Sequence, residues 1–168
     1  LYYFFIGEEP ILSGGCFGSS KLVENNSKLL RKYKRAVAFD RKMTGSIITR
    51  QMAQQCCSDE FADSLAKQLN LSGLSYKKDE GGVYTDSAEF TDIIPECTNL
   101  SVGYYKEHTV NETQDIKHLE DLANACLLVD WENLPTKRDM TKKEYRSYNS
   151  WNTGRYNYGN YSNKSYGT

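Results

Sequence analysis

The sequence predicts an α/β fold: a three-layer sandwich with a mostly parallel or mixed sheet between helices. Along the first 135 residues, short apolar runs alternate with segments of helical periodicity. This order is typical of strands joined by crossover helices. Acidic or imidazole side chains directly follow several of the apolar runs. Since functional groups of α/β sheets gather beyond the carboxyl ends of the strands, the same pattern predicts a reaction centre there.

The first apolar run, Leu1–Ile6, leads directly into Gly7, Glu8 and Glu9. A strand that is apolar on both faces is normally covered on both sides and flanked by other strands. Nothing precedes this strand in the 168-residue sequence. We therefore expect the fold to be incomplete at its N-terminal side, with part of the sheet supplied from outside these residues.

The remaining elements follow from periodicity and from residues that begin or end helices. Ser58 is a good N-cap, with acidic residues in the first turn of the helix that it begins. Pro95 ends the short helix before it. The predicted helices cover residues 19–33, 58–70, 88–93 and 115–131, and the predicted strands after the first cover residues 36–39, 46–49, 74–77 and 100–105.

The last predicted helix carries an apolar stripe at helical spacing. The stripe consists of Ile116, Leu119, Leu122, Ala123, Cys126 and Leu127, and we expect it to face the core. His118 lies on the same helix, and we expect it on the surface. Cys56 and Cys57 are expected to be buried packing residues.

Composition divides the chain into residues 1–135 and a tail, residues 136–168. The tail contains 7 of the 21 Lys and Arg residues but only 2 of the 22 Asp and Glu residues. From about Thr141 it is rich in Tyr, Asn, Gly and Ser without apolar periodicity, which favours a low-complexity extension. Basic residues between aromatic rings also suit single-stranded nucleic acid. We favour an unstructured extension or a contact arm for another chain, and consider nucleic acid unlikely.

The composition also excludes several classes of protein. No apolar run approaches the roughly 20 residues that span a bilayer, so no membrane partner is expected. The five cysteines have no metal-type spacing, which favours reduced, mostly buried thiols and a cytoplasmic location. A signal peptide has a basic start and a small-residue cleavage site, and the segment that begins at Leu1 shows neither.

Four side chains that follow predicted strands form a candidate site: Glu8, Glu9, Asp40 and His108. Carboxylate oxygen and imidazole nitrogen suit Zn²⁺ or a similar divalent ion. One of two adjacent carboxylates can hold a metal while the other faces the metal-bound water as its base. The pattern therefore predicts metal-assisted hydrolysis.

These residues lie in segments that resemble the M28-type zinc aminopeptidase family over roughly residues 1–132. The segments are 5–9 (Phe-Ile-Gly-Glu-Glu), 15–19 (Gly-Cys-Phe-Gly-Ser), 38–41 (Ala-Phe-Asp-Arg), 84–90 (Tyr-Thr-Asp-Ser-Ala-Glu-Phe) and 94–109, which ends in Gly-Tyr-Tyr-Lys-Glu-His-Thr. The resemblance implies a co-catalytic di-zinc exopeptidase acting on a peptide substrate. Glu8 would be the general base, Glu9 and His108 would bind one zinc ion, and Asp40 would bind the other.

The chain departs from that family in one respect. The family takes two further ligands, a His and a bridging Asp, from an earlier His-x-Asp segment, and this sequence has none. Either another polypeptide supplies them, or these residues are part of a longer protein that contains them, or the chain is an inactive remnant that serves as a structural or interaction module. The roles of Asp86 and Glu89 stay open between lining a substrate cleft and capping the short helix.

Overall fold

The computed structural model describes residues 16–142, which contain four helices and eight strands in the part described. In chain order, these are α1 (Phe17–Leu30), β1 (Arg35–Arg41), β2 (Ser46–Ile48), β3 (Arg50–Gln51), β4 (Gln54–Gln55), α2 (Asp59–Asn70), β5 (Lys77–Asp79), α3 (Asp86–Glu89), β6 (Glu96–Ser101), β7 (Tyr104–Tyr105), β8 (Thr113–Gln114) and α4 (Ile116–Leu128).

The main sheet has four strands in the order β1-β6-β2-β5. β1 runs parallel to β6, and β2 runs parallel to β5, while β6 and β2 are antiparallel. The predicted α/β class with a mixed sheet is therefore confirmed. β3 pairs with β4, and β7 pairs with β8, as two short antiparallel ribbons.

Adjacent residues of the sheet belong to two different apolar clusters. Ile47 and Leu100 pack with side chains of α2 and α4, whereas Ile48 and Cys97 pack with side chains of α1 and of the chain around α3. Successive side chains of a strand point to opposite faces, so each face of the sheet has its own helices. A complete three-layer sandwich remains a prediction.

α2 shows why the local sequence forms these elements. The Ser58 side chain accepts a hydrogen bond from the backbone N–H of Phe61 at 3.2 Å, as expected of an N-cap. Phe61, Leu65 and Leu69 are fully buried on one side of the helix. Burial of each such side chain stabilises the fold by about 1.5–3 kcal/mol, so this face holds α2 on the sheet.

A buried carboxylate joins the start of β6 to two other parts of the chain. Glu96 has no solvent exposure, and it accepts hydrogen bonds from the backbone N–H and hydroxyl of Ser58 at 2.7 and 2.9 Å. It also accepts hydrogen bonds from the backbone N–H groups of Lys137 and Arg138 at 2.6 and 3.0 Å. The segment after Pro135 is thereby attached to the body as far as Arg138.

The predicted strand over residues 100–105 is wrong in its bounds. β6 begins immediately after Pro95 and ends at Ser101, and the chain turns at Gly103 before the short strand β7. Gly103 has a φ of +89°, and a Cβ there would lie 3.0 Å from the His118 ring. Both the conformation and the close approach favour glycine, so the apolar run is two strands separated by a turn.

Two expectations for α4 are also wrong. Ile116 is 58% exposed and Leu119 is 39% exposed, whereas Leu122 and Ala125 of the same helix are buried. The predicted apolar face is therefore right at Leu122 and wrong at Ile116 and Leu119, because the helix packs on the core through Leu122 and Ala125. Conversely, His118 is half-buried instead of exposed, and its ring stacks on that of Tyr76.

Several predictions fall outside the described residues. They are the strand over Leu1–Ile6, the pair Glu8 and Glu9, and the low-complexity character of the tail beyond residue 142. Among the helices of residues 16–142, none has the length and apolar character needed to cross a bilayer. The division of the chain at residue 135 remains a prediction.

Candidate functional site

Asp40 lies near the end of β1, where the pairing of this strand with β6 is irregular. Ala38 is aligned with Asn99, but Arg41 is aligned with Ser101, so two residues of β1 stand opposite one residue of β6. Such a bulge bends a strand and redirects the extra side chains. The Asn99 side chain compensates at this point, since it accepts from the Asp40 N–H at 2.8 Å and donates to the Asp40 carbonyl at 3.0 Å.

Beyond the bulge, the chain that follows β1 remains paired with the chain that follows β6. The Val102 N–H donates to the Arg41 carbonyl at 2.8 Å. Met43 then forms two bonds, donating to the Tyr104 carbonyl at 2.8 Å and accepting from the Gly103 N–H at 2.7 Å. The segment that leads to His108 is therefore held beside the residues that follow Asp40.

His108 lies in the loop between β7 and β8, with an exposed side chain and a left-handed φ of +60°. Its backbone N–H donates to the Glu112 carboxylate at 3.0 Å, a contact that helps to hold this turn. The ion pair of Lys42 with Glu107 connects the residue before His108 to the residues after Asp40. The residues that follow Asp40 are thus linked to those that lead to His108, and whether the two side chains share one site remains a prediction.

This edge carries several negative charges around the half-buried Tyr104. Its hydroxyl lies 3.4 Å from the Asp40 carbonyl oxygen. Burial, followed by the charges of Asp40 and Glu107, raises the pKa of Tyr104 to about 12. In contrast, the hydrogen bond from Lys42 lowers the pKa of Glu107. At neutral pH the edge therefore presents a protonated phenol near the ionised carboxylate of Glu107.

The described donors do not by themselves complete a metal site. Within residues 16–142, no group of three or more His, Cys, Asp or Glu side chains is arranged to hold a metal ion. Glu8 and Glu9 lie outside this range. The donor types of Asp40 and His108 fit Zn²⁺, Mn²⁺ or Co²⁺, but two side chains cannot fill the coordination of two ions.

The structure assigns the cap of the short helix α3 to a residue other than Asp86 or Glu89. Thr85 is its N-cap, and the Thr85 side chain accepts from the Ser87 N–H. Glu89 accepts a hydrogen bond from the hydroxyl of Tyr84. One carboxylate oxygen of Asp86 is buried and has no hydrogen-bond partner in the part of the chain described. Whether these carboxylates line a substrate cleft remains a prediction.

Sequence reasoning missed Asn99, the residue that contacts Asp40 most directly. A signal was present, because an amide side chain in the middle of a run that otherwise forms a buried strand needs a hydrogen-bond partner. Asn99 is only 1% exposed, and every residue of β6 is buried. A buried polar residue beside a predicted strand end is therefore a feature that would have identified it.

The resemblance to zinc aminopeptidases rests on the sequence segments alone. The chain matches no protein-family model, no curated protein and no solved structure.

Proposed function

We propose that this chain takes part in the metal-dependent hydrolysis of peptide N-termini, as an aminopeptidase-like zinc hydrolase. The observation that supports the proposal is the pairing of segments 41–43 and 102–104, which links the residues after Asp40 to those that lead to His108. The two residues contribute a carboxylate and an imidazole, which are donors that zinc uses at catalytic sites.

The four predicted site residues have separate roles in this proposal. Glu9 and His108 would hold one zinc ion, and Asp40 would hold the other. Glu8 accepts the proton of the attacking water as it adds to the peptide carbonyl. Zinc, when bound, lowers the pKa of that water and stabilises the developing oxyanion. The cofactor and the peptide substrate both follow from the resemblance.

The handedness of crossover connections indicates on which side of β1 a further parallel strand would lie. α2 joins the parallel neighbours β2 and β5, and it packs on the face of the sheet opposite α1. If the β2-α2-β5 crossover is right-handed, the position of α1 on the opposite face determines the direction of a crossover that leads into β1. A strand that reaches β1 through α1 in a right-handed crossover then lies on the side of β1 away from β6.

That side of β1 is open in the described structure, since β1 ends the strand order of the sheet in residues 16–142. Phe39 there is 49% exposed, although it belongs to an apolar strand. Glu8 and Glu9 lie outside the described residues, and the proposal requires them to reach the edge of the sheet at which β1 ends.

The proposal requires donors from outside residues 1–168. The sequence contains only two histidines. The second, His118, lies on α4 and contacts Tyr76. The missing His and bridging Asp would come from another polypeptide segment, such as an N-terminal half of the same catalytic domain.

The test measures metal content and aminopeptidase activity of the chain, alone and together with a polypeptide that supplies a His-x-Asp segment. We expect zinc-dependent release of N-terminal residues that is abolished in Glu8→Gln with metal binding retained. We expect Asp40→Asn and His108→Gln to lose metal, and the exposed control Asp63→Asn to keep both properties. A folded, complemented protein that binds no divalent metal would contradict the proposal.

A second candidate function is a catalytically inactive structural or interaction module. The absence of a His-x-Asp segment in this sequence favours it. In that case Glu8→Gln and His108→Ala leave the biological role intact, while deletion of residues 141–168 abolishes association with a partner. Normal association without those residues would count against this candidate.

A further inference from the structure

We propose that a cluster of exposed cations at the edge of the sheet where β1 and β6 begin binds an acidic segment of another polypeptide. The cluster, called the basic patch below, consists of Lys28, Arg31, Lys32, Lys34 and Lys137, and all five residues are exposed. The inference goes beyond the proposed hydrolase and does not depend on a metal site, because Asp40 lies toward the other end of β1.

The first residue of β6 brings two distant parts of the chain together in this patch. The Glu96 N–H donates to the Lys34 carbonyl at 3.2 Å, and the Glu96 carboxylate accepts from the Lys137 N–H at 2.6 Å. The Arg35 side chain adds a second link, since it donates to the Leu134 carbonyl. The run of cations that precedes β1 therefore lies beside the segment that follows Pro135.

The other three cations of the patch lie at the end of α1. Arg31 and Lys32 follow Lys28 by three and four residues, so the three side chains are neighbours on one side of the helix end. The dipole of a helix favours cations near its last turn, which accounts for Lys28 and Arg31 without any partner. It does not account for Lys137, which comes from a different part of the chain.

Three acidic side chains close to the patch have partners of their own. Burial lowers the pKa of Arg35, and the charges of Glu132 and Glu96 act on it in the opposite direction, so both carboxylates lie near this guanidinium. Asp139 forms an ion pair with Lys142 at 3.9 Å. Arg35 and Lys142 are not members of the patch, so these three carboxylates are engaged with other cations.

The charge around the patch favours a short acidic segment over a long polyanion. Residues 16–142 contain 17 Lys and Arg against 19 Asp and Glu, so the chain outside the five patch cations is predominantly negative. That negative charge repels phosphates that extend past the patch, whereas a short run of Asp or Glu ends within it. Single-stranded nucleic acid also needs aromatic rings for base stacking, and the run of cations offers a single ring, Tyr33, which is 36% exposed.

The experiment measures the affinity of the full 168-residue chain for a fluorescein-labelled oligoglutamate peptide by fluorescence anisotropy. The test variant combines Lys32→Glu with Lys34→Glu. The matched control combines Lys67→Glu with Lys77→Glu, at exposed lysines in the last turn of α2 and at the start of β5. Both variants change the net charge of the chain equally, but only the first changes the patch. Labelled oligothymidine is titrated in parallel, and melting temperatures establish that both variants are folded.

We expect the patch variant to bind oligoglutamate at least about 5-fold more weakly than the control variant, because two attractive contacts become repulsive. The difference should shrink at high salt, since exposed charges are then screened. Equal affinities of the two variants would overturn the inference, and so would a wild-type chain that does not bind oligoglutamate. Tighter binding of oligothymidine, lost in the patch variant, would overturn the acidic partner in favour of nucleic acid. None of these outcomes involves zinc, so the proposed function succeeds or fails separately.

Discussion

The hydroxyl oxygen of Tyr76 lies 3.0 Å from Nε2 of His118. The same hydroxyl donates its single hydrogen to the carbonyl of Ser101, the last residue of β6. Tyr76 therefore accepts from His118, and the Nε2 atom of His118 carries a hydrogen. The contact joins α4 to the end of β6, next to the turn at Gly103 that begins the His108 segment.

The first prediction concerns this connection. In Tyr76→Phe, the ring remains but the buried Ser101 carbonyl and His118 Nε2–H lose their partner, so we expect a loss of about 1–3 kcal/mol in the free energy of unfolding. Urea denaturation followed by tryptophan fluorescence measures the loss. Tyr105→Phe, at a more exposed tyrosine, is the control. A Tyr76→Phe protein as stable as that control would contradict the assignment.

The second prediction concerns the buried carboxylate of Glu96. Glu96→Gln replaces one acceptor oxygen with an NH₂ group that faces the N–H donors of Ser58, Lys137 or Arg138. Because at least one buried donor then has no acceptor, we expect a loss of at least about 2 kcal/mol in the free energy of unfolding. Urea denaturation measures it.

Glu120→Gln, at an exposed position on α4, is the control for Glu96→Gln. Surface changes of this kind usually alter stability by less than about 0.5 kcal/mol. Values for Glu96→Gln in the same range would show that the carboxylate does not hold the residues after Pro135 in solution.

The third prediction is a pH dependence from the ion pair of Lys42 and Glu107. The hydrogen bond from Lys42 lowers the pKa of Glu107 in the folded state, below the value of about 4.3 expected when the chain is unfolded. The pair therefore contributes stability above about pH 4.3, and this contribution is lost as the pH falls through the folded-state pKa. We expect Lys42→Gln to lower the melting temperature at pH 7 but not at pH 2.

Thermal melts of wild type and Lys42→Gln between pH 2 and 7 provide this measurement. Lys32→Gln is the control, because Lys32 is exposed in the turn after α1 and lies away from Glu107 in the sequence. If the melting-temperature difference between wild type and Lys42→Gln stays constant over the whole pH range, the ion pair of Lys42 with Glu107 does not cause a pH dependence of stability.

Periodicity and capping residues predicted the scaffold because both depend on nearby residues. Ser58 begins α2 as expected, and the short run around Val37 forms β1 with Asp40 near its end. A turn that depends on a single residue is harder to predict from the sequence. Gly103 turns the chain between β6 and β7 with a φ of +89°, but the flanking residues of the same run are compatible with one continuous strand.

Contacts between distant parts of the chain could not be predicted from local patterns. The burial of His118 depends on Tyr76, which is 42 residues away, and the bonds from Asn99 reach Asp40 across 59 residues. The exposed Leu119 shows the same limit, since which apolar face of α4 meets α2 is decided by the packing of whole elements. At the candidate site, the predicted strand ends selected Asp40 and His108, but the bulge beside Asp40 became visible only in the structure.

The last prediction tests the electrostatic environment of the candidate site through Tyr104. Burial and the neighbouring carboxylates raise its pKa to about 12, compared with about 10 in an unfolded chain. Because the folded-state value is the higher one, the stability from neutral Tyr104 is complete below about pH 10 and is lost as the pH rises toward 12. The ultraviolet titration of wild type minus that of Tyr104→Phe gives the midpoint of this one phenol.

We expect Asp40→Asn to lower the Tyr104 midpoint, because the substitution removes a negative charge that disfavours the phenolate. Glu60→Gln is the control, since this exposed carboxylate lies on α2 and is not among the charges that act on Tyr104. A wild-type midpoint near 10, or one that does not respond to Asp40→Asn, would show that the phenol and the carboxylate do not share this edge in solution. If Asp40→Asn lowers the midpoint and Glu60→Gln does not, the Asp40 side chain lies beside Tyr104. The Asn substitution keeps the backbone N–H and carbonyl that bond to Asn99, so the change is in the side-chain charge.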